Sequence, residues 1–290
     1  MKKGPITPKG FRDIGPELAK KRREVIGKIA GVLEEFGFVP IETPTLEFAE
    51  TLLGKYGEEE KLIYQFTDRG GRKLALRYDL TVPLARYVAN NLGVIAKGPF
   101  SRYQVGQVFR GENPQAGRYR EFTQFDFDAV GSASLEEDAK VIAATLAVTR
   151  EVGLNTAQLA INDRKNFESL SVEDIRAIDK IYKVGKENTK KELLEFVEKT
   201  KPTENLKKIF AILEKTYSLA EGKDFFFEPT LARGLDYYTG IIFELKPTGK
   251  PEELTIGGGG RYDNLIGMFA GRQIPAVGFS FGLDRLIEFV

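Results

Sequence analysis

Two alternating runs near the middle of the chain constrain its fold more than any other feature. The first spans residues 102–109, the second spans residues 118–130, and residues 112–117 lie between them as a turn. Successive side chains of a strand point to opposite faces of a sheet. The two runs therefore predict a β-hairpin whose second strand has two chemically distinct faces.

The parity of the numbering separates these two faces. One face carries Thr123, Phe125, Phe127 and Ala129, and the other carries Arg118, Arg120, Phe122, Gln124, Asp126 and Asp128. The second face passes from two cations through a ring and an amide to two carboxylates, which suits a ligand with an anionic and a cationic end. A salt-bridged outer face of the sheet is the alternative, and a β-bulge would scramble the alternation.

A second unusual segment runs from Arg233 to Gly240. It places a cation shortly before two adjacent phenols, Tyr237 and Tyr238, which precede the apolar run 241–243. An arginine at this place can meet an anion, and the tyrosines can line a pocket beside it. An ordinary strand entry with a surface arginine explains the same pattern.

Composition excludes several kinds of chemistry. The chain has 290 residues, a formal net charge of +1, no cysteine and no histidine. Disulfides, thiolate metal sites, thiol nucleophiles and a histidine base are therefore excluded. Catalysis would rest on carboxylates, lysine, arginine, backbone dipoles, a bound ion or the substrate. The lack of histidine is explained equally by an edited or reconstructed sequence and by chance.

No apolar run approaches the ~20 residues that a membrane-spanning helix needs. The basic N-terminus has no apolar core of the secretory type. We therefore expect a cytoplasmic protein without a membrane partner.

The remaining local patterns predict a mixed α and β chain. A helix is expected from Pro16 to a glycine cap at Gly37. Residues 38–44 form a proline-broken strand, which belongs at a sheet edge or an interface between subunits. A simple transition from loop to sheet is the alternative. Further expected elements are a hairpin with its turn at 68–71, a helix at 81–90 and a helix at 135–152.

A lysine- and glutamate-rich stretch with helical periodicity interrupts the strand-rich regions. It predicts a helical insertion at 163–222 between core segments 1–162 and 223–290. A solvated helical lobe without a specific partner is the alternative.

The C-terminal part contains a glycine run at 257–260, followed by Arg261, Tyr262 and Asp263. The run is expected at a junction between strand and helix, where glycine lets a backbone approach a ligand closely. Residues 276–286 predict a strand, a tight turn and a helix. Because the chain ends at Val290, soon after that helix begins, we expect a trimmed chain or a protein that lacks a C-terminal module.

Together these segments resemble the catalytic core of histidyl-tRNA synthetases, which belong to the class II aminoacyl-tRNA synthetases. Residues 37–47, 108–124 and 278–285 are similar to the three class motifs. Residues 233–238 and 258–263 are similar to signatures specific to the histidyl enzymes. The resemblance covers nearly the whole chain. The family's C-terminal anticodon-binding domain has no counterpart in this sequence. It implies an α+β fold with a mostly antiparallel sheet flanked by helices and a helical insertion.

The resemblance also implies a reaction. The histidine carboxylate attacks the α-phosphate of ATP, supplied with Mg²⁺, and the histidyl group then passes to the acceptor end of tRNA(His). The first step needs charge neutralisation and alignment rather than a side-chain base, so a chain without histidine can perform it. A homodimer formed through the first motif and weak tRNA charging are further implications.

The family match assigns candidate residues by role. Those implied in catalysis are Arg233, Arg110 and Arg285. Those implied in ATP binding are Arg110, Glu112, Phe122, Gly282 and Arg285. Those implied in histidine binding are Asp79, Thr81, Gln124, Asp128, Arg233, Tyr237 and Tyr238. No metal held by the protein is implied, and the acceptor end of the tRNA is expected near Arg102, Arg118 and Arg120.

One departure from the family pattern concerns the ammonium contact. Asp79 stands where a common family form has glutamate, so its carboxylate reaches one methylene less far.

Two alternatives to the enzyme are a regulatory subunit of ATP phosphoribosyltransferase, which is a synthetase paralogue, and a synthetase-like sensor domain. Arg110, Arg233 and Arg285 favour the enzyme, because each of these arginines then has a phosphate to meet.

Overall fold

The structure is a computed structural model and describes residues 6–114, 118–232, 237–250 and 252–290. Its strands are β1 (Val39–Pro40), β2 (Leu46–Phe48), β3 (Gln65–Thr67), β4 (Lys73–Leu76), β5 (Phe100–Phe109), β6 (Glu121–Val130), β7 (Gln158–Asp163), β8 (Phe225–Phe227), β9 (Ile241–Lys246), β10 (Gly257–Arg261) and β11 (Ala276–Gly282). Its α-helices are α1 (Pro16–Glu35), α2 (Ala49–Leu52), α3 (Thr81–Asn90), α4 (Leu135–Glu151), α5 (Val172–Asp179), α6 (Ile181–Val184), α7 (Lys191–Lys199), α8 (Glu204–Tyr217), α9 (Gly267–Ala270) and α10 (Leu283–Phe289).

Eight strands form the main sheet in the order β1-β5-β6-β11-β10-β9-β7-β8. The β1–β5 and β7–β8 pairs at the two ends are parallel, and the pairs between them are antiparallel. A smaller sheet has the order β2-β4-β3. The predicted α+β class with a mostly antiparallel sheet is confirmed.

One face of the main sheet packs on helices and forms the largest apolar core. Phe125, Phe127 and Ala129 on β6 lie in this core, as the parity of the strand predicts. Apolar residues of α1, α4, α8 and α10 cover them. A second apolar cluster joins α2, α3 and the smaller sheet. The opposite face of β6 is left for polar groups.

Local rules explain the helix ends that the sequence predicts. Pro16 occupies the first position of α1, and Gly37 follows the helix with a φ of 78°. Glycine adopts this left-handed backbone without steric penalty. The predicted helix at 81–90, both hairpins, and the strand and helix at 276–286 are confirmed. The helix follows that strand directly, without the expected turn, and of the edge strand expected at 38–44 only Val39–Pro40 forms.

Two predictions of local structure are wrong. The second arm of the hairpin at 102–130 begins at Glu121 instead of Arg118, because its pairing ends where Phe109 faces Glu121. The glycine run is not a junction between strand and helix. It forms β10, which pairs with β9 on one side and β11 on the other.

The segment at 163–222 is mainly helical. Buried residues of α5, α6 and α7 form a small cluster of their own with Phe167 and Ala232, whereas α8 packs into the main core. The boundaries of the insertion stay a prediction. Within the described residues, no helix combines the length and apolar character needed to cross a membrane.

Candidate active site

A cavity of about 340 Å³ lies on the polar face of the main sheet. Its size suits a small-molecule ligand. Every predicted site residue in the described part of the chain lines it, namely Asp79, Thr81, Arg110, Glu112, Phe122, Gln124, Asp128, Tyr237, Tyr238, Gly282 and Arg285. Arg233 lies outside the described residues. The face of β6 that the alternation singles out therefore lines a cavity instead of an outer surface, and its binding of a ligand stays a prediction.

Strand register sets the chemical order along the cavity floor. On β6, Asp128 faces Arg102 of β5 and Gly278 of β11. Two residues earlier, Asp126 faces Gln104 and Ser280. Directly opposed residues share a face of the sheet. Asp128 and Asp126 therefore each lie between a residue of β5 and a residue of β11 on the cavity face.

Gly278 of the cavity floor and Gly260 of β10 have no room for a side chain. A Cβ on Gly278 would lie 1.8 Å from Asp128 Oδ1, and a Cβ on Gly260 would lie 2.5 Å from the Ile241 carbonyl oxygen. A Cβ on Gly258, by contrast, would lie 3.6 Å from its nearest neighbour. Space above Gly258 is thus left open toward the cavity.

One end of the cavity carries guanidinium groups. Arg110 Nε donates to the Tyr78 carbonyl oxygen over 3.2 Å, and its guanidinium carbon lies 5.1 Å from the centre of the Phe122 ring. Arg285 Nη1 donates to the Thr255 carbonyl oxygen. The Phe122 ring and the two guanidinium groups of this end form a place for a planar, anionic ligand.

Glu112 lies at this same end. Its carboxylate pairs with Arg118 Nε over 2.9 Å, and its carbonyl oxygen accepts a hydrogen bond from Arg120 Nε. Arg118 lines the cavity, whereas Arg120 packs against Gly10.

The cavity also carries buried carboxylates, and the first of them, Asp79, lies near Arg110, whose charge acts against the rise of its pKa. Asp79 Oδ1 accepts hydrogen bonds from the Tyr56 hydroxyl and from the backbone N–H groups of Thr81 and Val82. It thereby satisfies N–H groups at the start of α3. Burial raises the pKa of Asp79, and Asp79 Oδ2 has no hydrogen-bond partner.

Asp128 is held by two partners that the sequence did not identify. The Tyr262 hydroxyl donates to Asp128 Oδ1 over 2.5 Å, and Arg102 Nη2 lies 2.5 Å from Asp128 Oδ2. Arg102 is completely buried, so its expected place beside the acceptor end of a tRNA is wrong. Residue parity could have placed Arg102 on this face, but only the register shows that it faces Asp128.

The two adjacent tyrosines lie where the sequence predicts a pocket. The Tyr237 and Tyr238 ring centres are 5.0 Å apart, and Tyr237 lies 5.8 Å from the ring of Tyr262. Burial raises the pKa of all three phenols. They are therefore protonated at neutral pH and can donate hydrogen bonds.

Gln124 and Asp126 lie between the two ends. Gln124 Nε2 donates to Ser280 Oγ over 2.9 Å, which leaves Gln124 Oε1 without a partner. Burial and the neighbouring Asp128 raise the pKa of Asp126 to about 7, against the lowering effect of Arg102. Sequence reasoning placed Asp126 on this face and gave it no role.

The cavity is therefore polarised along β6. Arg110 and Arg285, together with Glu112, lie at the Phe122 end, which we call the arginine end, and the buried Asp126 and Asp128 lie at the carboxylate end. Such an arrangement can bind two small molecules side by side, one through its anionic groups at the arginine end and the other through its cationic group at the carboxylate end. In the described residues, no group of three or more acidic side chains is arranged to hold a metal ion.

Comparisons with known proteins agree with this geometry. The family described as histidyl-tRNA synthetase matches residues 10–175 and 165–286. The histidine–tRNA ligase of Aeropyrum pernix is 41% identical over 323 aligned residues, covering 98% of this chain and 74% of that protein.

Two solved structures share the fold over nearly the whole chain. The histidyl-tRNA synthetase of Nostoc sp. PCC 7120 superposes with a TM-score of 0.83 at 30% identity, covering 99% of this chain and 75% of that one. A Bacillus halodurans protein described as an ATP phosphoribosyltransferase regulatory subunit/histidyl-tRNA synthetase gives 0.81 at 25% identity, covering 98% and 82%. The chain therefore belongs to the histidyl-tRNA synthetase family.

Proposed function

We propose that this chain activates histidine with ATP and transfers the histidyl group to tRNA(His). The polarised cavity is the observation that carries the proposal, because it offers arginines to a nucleotide and carboxylates to an amino acid within one space. Family membership supports the same reaction.

The arginine end binds ATP. Arg110 contacts the α-phosphate, and Arg285 meets the γ-phosphate region and holds adenine against Phe122. Glu112 lies near the adenine amino group, with Gly282 beside the nucleotide. Magnesium enters as part of the ATP substrate. Arg233, by the family resemblance, stabilises the α-phosphate from the other side.

The carboxylate end binds histidine. Asp79, Thr81 and Gln124 hold the α-ammonium group, and Asp128 with Tyr237 and Tyr238 holds the imidazole. Tyr262 fixes Asp128 through the hydrogen bond at its Oδ1. An isosteric apolar side chain would leave these buried groups without partners, which gives discrimination against it.

The cavity promotes the reaction by aligning the histidine carboxylate with the α-phosphate of ATP. An oxygen of the histidine carboxylate attacks the α-phosphorus, the bond to pyrophosphate breaks, and histidyl-adenylate forms. The terminal hydroxyl of the tRNA then attacks the acyl carbon and AMP leaves. Arg110 and Arg285 neutralise charge on the phosphates, so the first step proceeds without a side-chain base.

A non-catalytic regulatory role is the second candidate, because the Bacillus halodurans protein of the same fold is described as a regulatory subunit as well as a synthetase. Arg110 and Arg285 both lie in the cavity and favour the ligase, since a regulator that only senses histidine has no phosphate for them.

Histidine-dependent exchange of pyrophosphate into ATP separates the ligase from the regulator. We expect exchange with histidine and none when histidine is omitted. Absence of exchange at saturating histidine and ATP, in a chain that binds histidine, would reject the ligase.

A homodimer is also proposed. Val39, Leu46, Phe48 and Phe66 are apolar residues of β1, β2 and β3 that are between 44% and 51% exposed. Burial of such side chains in an interface is favourable. Light scattering should show a dimer, and Phe48→Asp should convert it to a monomer. We further propose the cytoplasm as its location.

A further inference from the structure

The cavity holds a buried carboxylate, Asp126, that the proposed reaction does not yet use. Its side chain is 2% exposed and lines the cavity between Gln124 and Asp128 on β6. Asp126 Oδ1 has no hydrogen-bond partner. Most buried polar atoms in proteins are hydrogen-bonded, so an unpaired acceptor inside a ligand cavity needs an explanation.

Asp126 shares this property with two neighbours. Asp79 Oδ2 and Gln124 Oε1 are also buried acceptors without a partner. Asp128 Oδ2 has no hydrogen-bond partner either, but it forms the ion pair with Arg102, and Tyr262 donates to Asp128 Oδ1. Among the described residues that line the cavity, three acceptors thus have neither a hydrogen bond nor an ion pair.

We propose that Asp126 contacts the α-ammonium group of histidine, so that Asp79, Gln124 and Asp126 accept its three N–H donors and Thr81 borders the group without accepting from it. An ammonium group has three donors and no acceptor, which matches three unpaired oxygens. The inference rests on the proposed function, because it assumes that histidine occupies this end of the cavity.

The charges nearby favour the ammonium over the imidazole as the partner of Asp126. Arg102 lies against Asp128, and Arg77 donates to the carbonyl oxygens of Thr43 and Gln107. Asp126 feels the same guanidinium and accepts a hydrogen bond from Ser280, but Arg102 makes its ion pair with Asp128. A full positive charge therefore stabilises Asp126 more than a neutral ring does.

Asp79 alone offers limited negative charge to an ammonium group, for a structural reason. Its Oδ1 is committed to Tyr56 and to the start of α3, so only Oδ2 is left without a hydrogen-bond partner. The side chain is also one methylene shorter than glutamate. A second carboxylate from β6 supplies the charge that Asp79 alone offers through a single oxygen.

Three ligands distinguish the possible contacts of Asp126. Histidine and histidinol carry both the ammonium and the imidazole, whereas 3-(imidazol-4-yl)propanoate lacks the ammonium. We expect Asp126→Asn to weaken histidine and histidinol by roughly 10- to 100-fold, the range for a hydrogen bond to a charged group. Binding of the propanoate, measured by calorimetry, should not change.

Equal weakening of all three ligands would overturn the proposal, because it would place Asp126 at the imidazole or show general damage to the cavity. Unchanged binding of all three would also overturn it. Failure of the unmodified chain to bind histidine would reject the proposed function itself, which is a different result.

A crystal structure of the unmodified chain with histidine decides the matter if Asp126→Asn does not fold. We expect the ammonium nitrogen at about 3 Å from Asp126 Oδ1, the usual length of such a hydrogen bond. A separation above about 4 Å would overturn the assignment.

Discussion

Tyr262 and Asp128 are joined by a buried hydrogen bond of 2.5 Å. Tyr262 directly follows β10, and its hydroxyl donates to the carboxylate of Asp128 on β6. Both side chains are at most 3% exposed. The bond crosses the sheet above Gly278, where no side chain intervenes. It fixes the carboxylate that we assign to the histidine ring.

Loss of this hydrogen bond should weaken histidine binding. Tyr262→Phe keeps the ring and removes the donor, so Asp128 Oδ1 loses its partner. We expect a loss of about 1–3 kcal/mol in the free energy of histidine binding. Tyr217→Phe is the control, because Tyr217 stacks on Phe36 in the helical layer away from the cavity. Equal effects of the two changes in calorimetry would contradict the assignment.

Two neighbouring glycines of β10 should respond differently to alanine. The Cβ of Gly258→Ala meets nothing closer than 3.6 Å, whereas the Cβ of Gly259→Ala would lie 2.1 Å from the Gly278 carbonyl oxygen. We expect Gly259→Ala to lower the free energy of unfolding by about 1–3 kcal/mol or more. Gly258→Ala should keep its thermal midpoint and raise the KM for histidine or ATP, because its methyl group enters the cavity. Similar unfolding curves with unchanged kinetics would show that the floor is not in contact with ligand.

The buried ion pair of Arg102 and Asp128 should dominate stability over the exposed pair of Arg118 and Glu112. Arg102→Met leaves a buried carboxylate without its cation, which costs about 3–5 kcal/mol. Arg118→Met, whose side chain is 50% exposed, should change the free energy of unfolding by no more than about 1 kcal/mol. Urea denaturation measures both. A small loss for Arg102→Met would mean that the pair contributes little to folding.

Asp126 should make the ligand-free chain less stable as pH rises. Its pKa is raised from 3.8 to about 7, so the folded state holds a proton that the unfolded state releases. The free energy of unfolding therefore falls between about pH 4 and pH 7 and stays low above it.

The variant that tests this pH dependence keeps the charged neighbours of Asp126 in place. Arg102, Asp128 and Asp79 face it, and its charge in turn acts on Arg77. Asp126→Asn removes only its own titration, so we expect the variant to be more stable than the parent at pH 8, by at least about 2 °C in thermal midpoint. The two midpoints should converge near pH 5. A constant difference from pH 5 to pH 8 would contradict the raised pKa.

Much of this site could be predicted from the sequence because alternation along β6 depends only on local backbone geometry. Phe122, Gln124 and Asp128 therefore fell on the correct face. The family resemblance supplied Asp79, Arg110 and Arg285, which the fold brings to the same cavity.

Other features depend on register, which a single strand does not specify. The pairing of Arg102 with Asp128 and of Ser280 with Asp126 follows from how β5 and β11 align with β6. The glycines of β10 carry no strand propensity of their own. They form a strand because neighbours on both sides supply the hydrogen bonds and leave no room for side chains.

A crystal structure of the chain with histidine and a non-hydrolysable ATP analogue tests the central claim most directly. We expect both ligands in the one cavity, with the phosphates against Arg110 and Arg285 and the imidazole beside Asp128. Ligands bound elsewhere, or phosphates that contact neither arginine, would contradict the proposed function.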